Sequence, residues 1–249
     1  NHRIRRESEM EAKYVEELAK NFKVNCKVLN WNKSKKSNAL MENARDERYN
    51  RIINFCKEEQ IITLMTAHHF DDCLETYLMR KKRKFTTLGL TGIPMINSQK
   101  NLQILRPFIR IKKKRLIQTC LNNNIKWIKD PSNDNEKFER VRIRKFIKKL
   151  GADKIKSLER ELKENLKKNI IIEKRLSKFF TQKLTFYNYG KFMINKKSLL
   201  RESESFQIEI IKKILVTCSG ATYPPRYGTV GILVRKIKNF EKFRFSIHS

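Results

Sequence analysis

Two histidines, two aspartates and a glutamate crowd into Thr66-Ala67-His68-His69-Phe70-Asp71-Asp72-Cys73-Leu74-Glu75-Thr76. Asp72 and Glu75 are three residues apart, so on a helix they leave from one face. His69 stands three residues before Asp72, in the turn that would lead into that helix. Imidazole and carboxylate groups converging there can hold Mg²⁺, place a phosphate through it, or move a proton. An ordinary alternative exists, because acids are favoured in any first helical turn, facing the positive end of the helix dipole. The density of titratable groups beside an apolar run argues for chemistry. Two enzyme classes stand open on these residues: a metal-dependent phosphoesterase using a His-His-x-Asp-Asp cluster, and an ATP-using transferase.

The preceding run, Ile61-Ile62-Thr63-Leu64-Met65-Thr66, is short, apolar and β-prone, which suits a strand buried on both faces. A helix is expected over about residues 70–82. The cluster therefore falls where a strand hands over to a helix. Ligands of open α/β sheets sit at the carboxyl ends of strands, and a helix N-terminus adds N–H donors there. Upstream, apolar periodicity predicts a helix over 7–21, a strand through Val24, Cys26, Val28 and Trp31, a loop from Asn32 to Asn38, and a helix over 39–59. Strand and helix alternating in this way imply an α/β unit with a parallel sheet. Downstream come a glycine-containing loop from Thr86 to Pro94, a strand over Leu102–Leu105, a helix over 111–124, a turn at Asp130-Pro131-Ser132-Asn133 and a basic helix over 138–149.

After Gly151 the texture changes. Ile155, Leu158, Leu162, Leu166 and Ile170 keep a three-to-four spacing in a Lys/Glu background, predicting a long amphipathic helix to about Leu184. A strand at Lys191–Ile194, helices over 203–218 and 228–239, and a strand at Phe243–Ile247 complete the expectation. The division that follows is 1–150, a linker helix over 151–185, and a small second domain over 186–249.

Lys and Arg number 57 against 26 Asp and Glu, a formal net charge of +31, and such a field attracts polyanions. An AT-rich genome, which inflates Lys everywhere, would raise the same number. Cys26, Cys56, Cys73, Cys120 and Cys218 form no C-x-x-C pair, which argues against a zinc ribbon, an iron–sulfur site or a dithiol motif and suits a reducing compartment. No apolar run approaches the roughly 18 residues of a membrane span, so no membrane partner is expected.

The segment 66–76 resembles the A-H-x-x-D-D-x-x-E-T motif of the tRNA(Ile)-lysidine synthetases, N-type ATP pyrophosphatases with a PP-loop. Other pieces resemble that family in its order. They are His2 to Ser8, Ala44-Arg45-Asp46-Glu47-Arg48-Tyr49, Gly89-Leu90 with Gly92-Ile93, Leu105-Arg106-Pro107-Phe108, and Trp127 through Asn133 followed by Phe138 to Arg144. The resemblance covers about residues 1–150 and is looser beyond. The chain departs from it in places. The family's S-G-G-x-D-S loop would lie upstream of His2, so an N-terminally truncated member is expected. Lys82-Arg83-Lys84-Phe85 replaces a glycine-rich stretch, and Asn1 and Val141 replace an Asp and an Asn.

The resemblance implies an adenine nucleotide alpha hydrolase-like fold: an open, twisted, mainly parallel sheet with flanking helices, then a long linker helix and a small, mostly helical C-terminal domain. It implies ATP and Mg²⁺ as cofactors, and tRNA(Ile) with a CAU anticodon and free L-lysine as partners, in the cytoplasm, with a homodimer as the assembly. Asp72, Glu75, His69 and Arg140 would be catalytic, with Glu75 holding or deprotonating the lysine ammonium. Arg45, Arg48, Thr66, Ala67 and His68 would bind ATP, and Asp72 with His68 would bind the metal. Arg142, Arg144, Lys112, Lys113 and Arg115 would face tRNA. Other readings are a tRNA thiolase on the same core or a non-catalytic tRNA-binding protein.

Overall fold

A computed structural model describes residues 1, 3, 7–30, 40–83, 85, 89–99, 102–128, 134–187, 192–219 and 225–239, without the side chains of 40–46 and 99. The chain forms two compact units: residues 1–73 with 93–141, and residues 74–92 with 142–249.

In the first unit, helices α1 (Ser8–Asn21) and α2 (Leu40–Glu58) precede strand β1 (Thr63–Met65). Strands β2 (Ile96–Gln99) and β3 (Leu102–Leu105), then helix α4 (Lys113–Asn122), follow the first turn of α3 (Phe70–Lys82). Helix α5 (Glu139–Lys149) starts in this unit and continues in the second. The strand order is β1-β3-β2. β1 runs parallel to β3, with Met65 opposite Leu105, and β2 runs antiparallel to β3. Leu102 and Ile104 alternate inward along β3 while Gln103 faces out, the period of two that a half-buried strand requires. Leu102 packs on Ile53 and Cys56 of α2, with Tyr49, Ile52 and Leu64 around them. α1, α2 and α4 are followed by residues in the left-handed region, Lys23 (φ 54), Gln60 (φ 56) and Asn124 (φ 53), a common way to stop a helix.

Several expectations change here. The sheet is mixed rather than mainly parallel among the described residues, with one parallel and one antiparallel pairing. β2 was not anticipated, because Ile96-Asn97-Ser98-Gln99 has little apolar signal and is held by pairing with β3. Residues 24–30 form no strand. β1 is shorter than the apolar run and is not buried on both faces: Ile62 is 77% exposed and Met65 66%. Among the described strands β1 pairs only with β3, so neighbours cover just part of it. The turn at 130–133 lies outside the described residues, as does the strand at 243–247.

The second unit is built on α6 (Ala152–Lys183), the β4 (Leu184–Phe186) and β5 (Phe192–Ile194) hairpin, and helices α7 (Lys196–Leu200), α8 (Glu204–Ser219) and α9 (Tyr227–Asn239). Leu176 and Phe179 of α6 join Leu199, Phe206, Ile210, Ile214, Val230 and Val234 in its core. Phe179 meets Phe206 edge-to-face at 6.4 Å. Asn195 caps α7 by accepting from the Ser198 N–H at 3.1 Å. Further along α6, Leu162 is fully buried. One turn away, Asn165 Nδ2 donates to the Tyr77 hydroxyl at 3.3 Å, and Lys81 Nζ reaches both Glu161 oxygens at 2.6 and 2.7 Å. Burial, then Glu161, pushes the Tyr77 phenol well above its usual range. The Lys81 hydrogen bond holds the Glu161 carboxyl below its own, against the opposing effect of burial. Lys212 is buried beside Glu209, its Nζ 3.0 Å from Oε2.

Candidate active site

β1 ends at Met65, and the next four residues make the turn into α3. Thr66 keeps the turn against the sheet, its N–H donating to the Leu105 carbonyl at 2.9 Å. The Thr66 hydroxyl and His68 Nδ1 lie 2.9 Å apart, fixing that imidazole. Ala67 is exposed. His69 immediately precedes the helix, and Asp72 is its third residue. The Asp72 carboxylate accepts from the His69 N–H at 3.0 Å, and His69 Nδ1 accepts from the Asp72 N–H at 3.4 Å. This is the reciprocal pattern of a capping box, with histidine where serine or threonine usually stands. The ordinary reading of Asp72 is therefore partly right, since the residue does hold the helix start.

It does more. Its other oxygen, Oδ1, accepts from Arg140 Nη2 at 2.7 Å, across 68 residues. The carboxylate is 15% exposed and the guanidinium 34%. A partly shielded, charge-assisted bond of this kind is short and orienting. Arg140 arrives from the first turn of α5, whose Val141 is buried and anchors the helix. The turn thus gathers Thr66, His68, His69, Asp72 and Arg140, five of the residues singled out from sequence. Such a group can present a fixed cation and an oriented imidazole to an anion.

Asp71 was not among the expected site residues. Its Oδ2 accepts from the Lys113 N–H at 2.7 Å and lies 3.7 Å from His69 Nδ1. Lys112 lies over the Phe70 ring, 5.9 Å from its centroid. Arg115 is exposed on α4 and Arg48 on α2, while the Arg45 side chain lies outside the described residues. Arg106, also unanticipated, is buried and donates to the Pro94 carbonyl at 2.9 Å and Asn97 Oδ1 at 2.6 Å, tying β2 to the end of β3. Nothing in the spacing of these residues marks such long-range bonds.

Within the second unit, Glu75 is 2% exposed. Arg144 Nε donates to its Oε1 at 2.7 Å and Nη2 to its Oε2 at 3.3 Å. Both Glu75 oxygens thus accept from the Arg144 guanidinium. Arg142 is exposed. Arg80 Nη1 lies 2.9 Å from the Thr91 carbonyl and 3.0 Å from that of Gly92, which braces the Gly89–Gly92 loop. A Cβ at Gly89 would meet the Phe85 ring at 2.7 Å, so a larger residue there would have to displace that ring.

Among the described residues no three His, Cys, Asp or Glu side chains converge as a metal-ligand set. Asp72 and His68 therefore make no ready-built cage. Mg²⁺ needs only one or two carboxylates when substrate phosphates supply the rest, so the carboxylate of Asp72 fits that demand. His68, a nitrogen donor already engaged by Thr66, fits it less well. No helix among the described residues is long and apolar enough to cross a membrane.

Residues 1–150 match the PP-loop domain family. The chain is also similar to curated proteins named tRNA(Ile)-lysidine synthase. That of Rickettsia felis (strain ATCC VR-1525 / URRWXCal2) is 28% identical over 250 residues, covering 100% of this chain and 58% of the relative. That of Rickettsia akari (strain Hartford) is 28% identical over 249 residues with the same coverage. That of Orientia tsutsugamushi (strain Boryong) is 27% identical over 259 residues, covering 98% of this chain and 57% of the relative. The chain thus spans a little under three-fifths of the length of these relatives.

Proposed function

The chain belongs to the PP-loop domain family, and from that premise we propose that its protein ligates lysine to cytidine 34 in the CAU anticodon of tRNA(Ile), using ATP. The C2 oxygen of the base attacks the α-phosphorus of ATP and pyrophosphate leaves. The lysine ε-amine then attacks C2 and loses a proton, and AMP departs with the oxygen. The product is lysidine. The names borne by the relatives support this substrate. A single-stranded anticodon loop lets the base be turned out without breaking a duplex.

The observation that carries the proposal is the Asp72–Arg140 bond at the strand-to-helix turn. Adenylyl transfer builds negative charge on phosphate oxygens, and catalysis rests on cations placed beforehand where that charge appears. Arg140, held by Asp72, is such a cation. His68, oriented by Thr66, faces the same turn as a hydrogen-bond partner. Arg45 and Arg48 would bind the ATP phosphates, with Thr66 and Ala67 beside the nucleotide. Mg²⁺, when bound with ATP, would offset phosphate charge, with Asp72 its protein carboxylate. Lys112, Lys113, Arg115 and Arg142 would follow the tRNA backbone. Glu75 acts through Arg144, since both its oxygens accept from that guanidinium. The division 1–150, 151–185 and 186–249 belongs to the same reading, as do a cytoplasmic location and a homodimer.

Lysine incorporation into a tRNA(Ile) transcript by the full-length protein tests the proposal. Asp72→Ala is expected to abolish incorporation while tRNA affinity survives. Unchanged turnover in that variant would remove Asp72 from the site.

A further inference from the structure

Asp71 takes no part in the chemistry above, yet its carboxylate is engaged. Helix α4 begins at Lys113, and the residue before it, Lys112, supplies no side-chain cap. A lysine has no acceptor to offer the orphan N–H groups of a helix start. Asp71 supplies it from another element, accepting from the Lys113 N–H at 2.7 Å across 42 residues. The link is returned in the other direction, since the Phe70 N–H, opening α3, donates to the Ile111 carbonyl at 2.9 Å, just ahead of α4. The Lys112 ammonium lies over the Phe70 ring. Two helix starts thus hold each other through two opposed hydrogen bonds and a cation–π contact. The next residue along α3 is Asp72, which fixes Arg140 and His69.

We propose that Asp71 is a positioning residue that caps α4 from outside and sets the basic turn Lys112–Arg115 in register with Asp72, so that RNA phosphates gripped by α4 bring the reacting base to the site. The two aspartates divide the work: Asp72 holds the reacting side and Asp71 the binding side. The RNA clause rests on the function proposed above, whereas the tether between helices does not.

Two measurements on the full-length protein test this, using Asp71→Ala and Asp71→Asn. Asparagine keeps an oxygen that accepts from the Lys113 N–H, and alanine does not. Loss of a cap speeds opening of the first turn by roughly fivefold. Hydrogen exchange at the Lys113–Arg115 amides is therefore expected to quicken about that much in Asp71→Ala and to return in Asp71→Asn. In lysine incorporation, Asp71→Ala is expected to raise KM for tRNA(Ile) about fivefold or more. KM for ATP and for lysine, and kcat, should stay within about twofold, with Asp71→Asn restoring KM. Unchanged exchange in Asp71→Ala would overturn the tether. Faster exchange with an unchanged KM for tRNA would overturn the register. A fall in kcat that asparagine fails to rescue would show that the charge itself takes part, and would also overturn the assignment. If the wild-type protein transferred no lysine at all, the proposed function would fall and take the RNA clause with it, while the exchange result would still judge the tether.

Discussion

Arg144 and Glu75 show how much a single residue's surroundings change its meaning. The family resemblance implies a tRNA-facing arginine and a carboxylate for lysine. In the fold they are each other's partners, with Glu75 nearly inaccessible. Removing one member of a buried pair leaves an uncompensated charge, which typically costs about 3–5 kcal/mol. Arg144→Ala should therefore destabilise the protein by about that much, discounted toward the low end because the guanidinium is 26% exposed. The double variant Glu75→Leu with Arg144→Met should recover most of the loss. Urea denaturation of the two variants checks this, and a shift under about 1 kcal/mol for Arg144→Ala would mean the pair is not held in solution. Arg140→Lys should keep the charge but lose the planar fork that lies against Asp72. A lysidine yield lowered by an order of magnitude or more, with tRNA binding retained, is expected.

At the scale of elements, α6 gives the second unit its frame. Leu158, Leu162, Leu176 and Phe179 are its buried positions, and Leu162 is fully enclosed. Leu162→Ala should cost about 2–5 kcal/mol through lost transfer energy and a residual cavity, read as a lower melting temperature. Lys81 of α3 and Glu161 of α6 add a pH-dependent tie. The Lys81 bond depresses the Glu161 pKa in the folded state. That stabilisation is present above the usual glutamate range, and it is lost as pH falls below about 5 and through the folded value. Glu161→Gln should therefore flatten the acid limb of the stability–pH curve while leaving a smaller difference at low pH. An identical acid limb in both proteins would refute the tie. Both partners are more than a third exposed, so salt should weaken the effect.

For the whole molecule the dominant quantity is the net charge of +31. Binding that neutralises several phosphates releases counterions, and affinity then falls linearly with salt on a double-logarithmic plot. Affinity for tRNA should drop by about a thousandfold or more between 50 and 200 mM salt if six or more phosphates are contacted. Filter binding across that range measures the slope, and a slope near zero would remove electrostatics as the basis of recognition.

Much of this protein was legible as letters. The helices at 8–21, 40–58, 70–82 and 152–183 follow from apolar periodicity, and their observed ends lie within a residue or a few of expectation, because the apolar face of a helix is a local pattern. The cluster around Asp72 was legible for the same reason, being contiguous in the chain. What the fold alone decided are relations between distant segments: β2 made a strand by pairing with β3, residues 24–30 left without one, Arg140 brought to Asp72, Arg144 to Glu75, and Lys113 to Asp71. A carboxylate's role depends on which donor the tertiary structure sets within about 3 Å of it, and no spacing along the chain carries that distance.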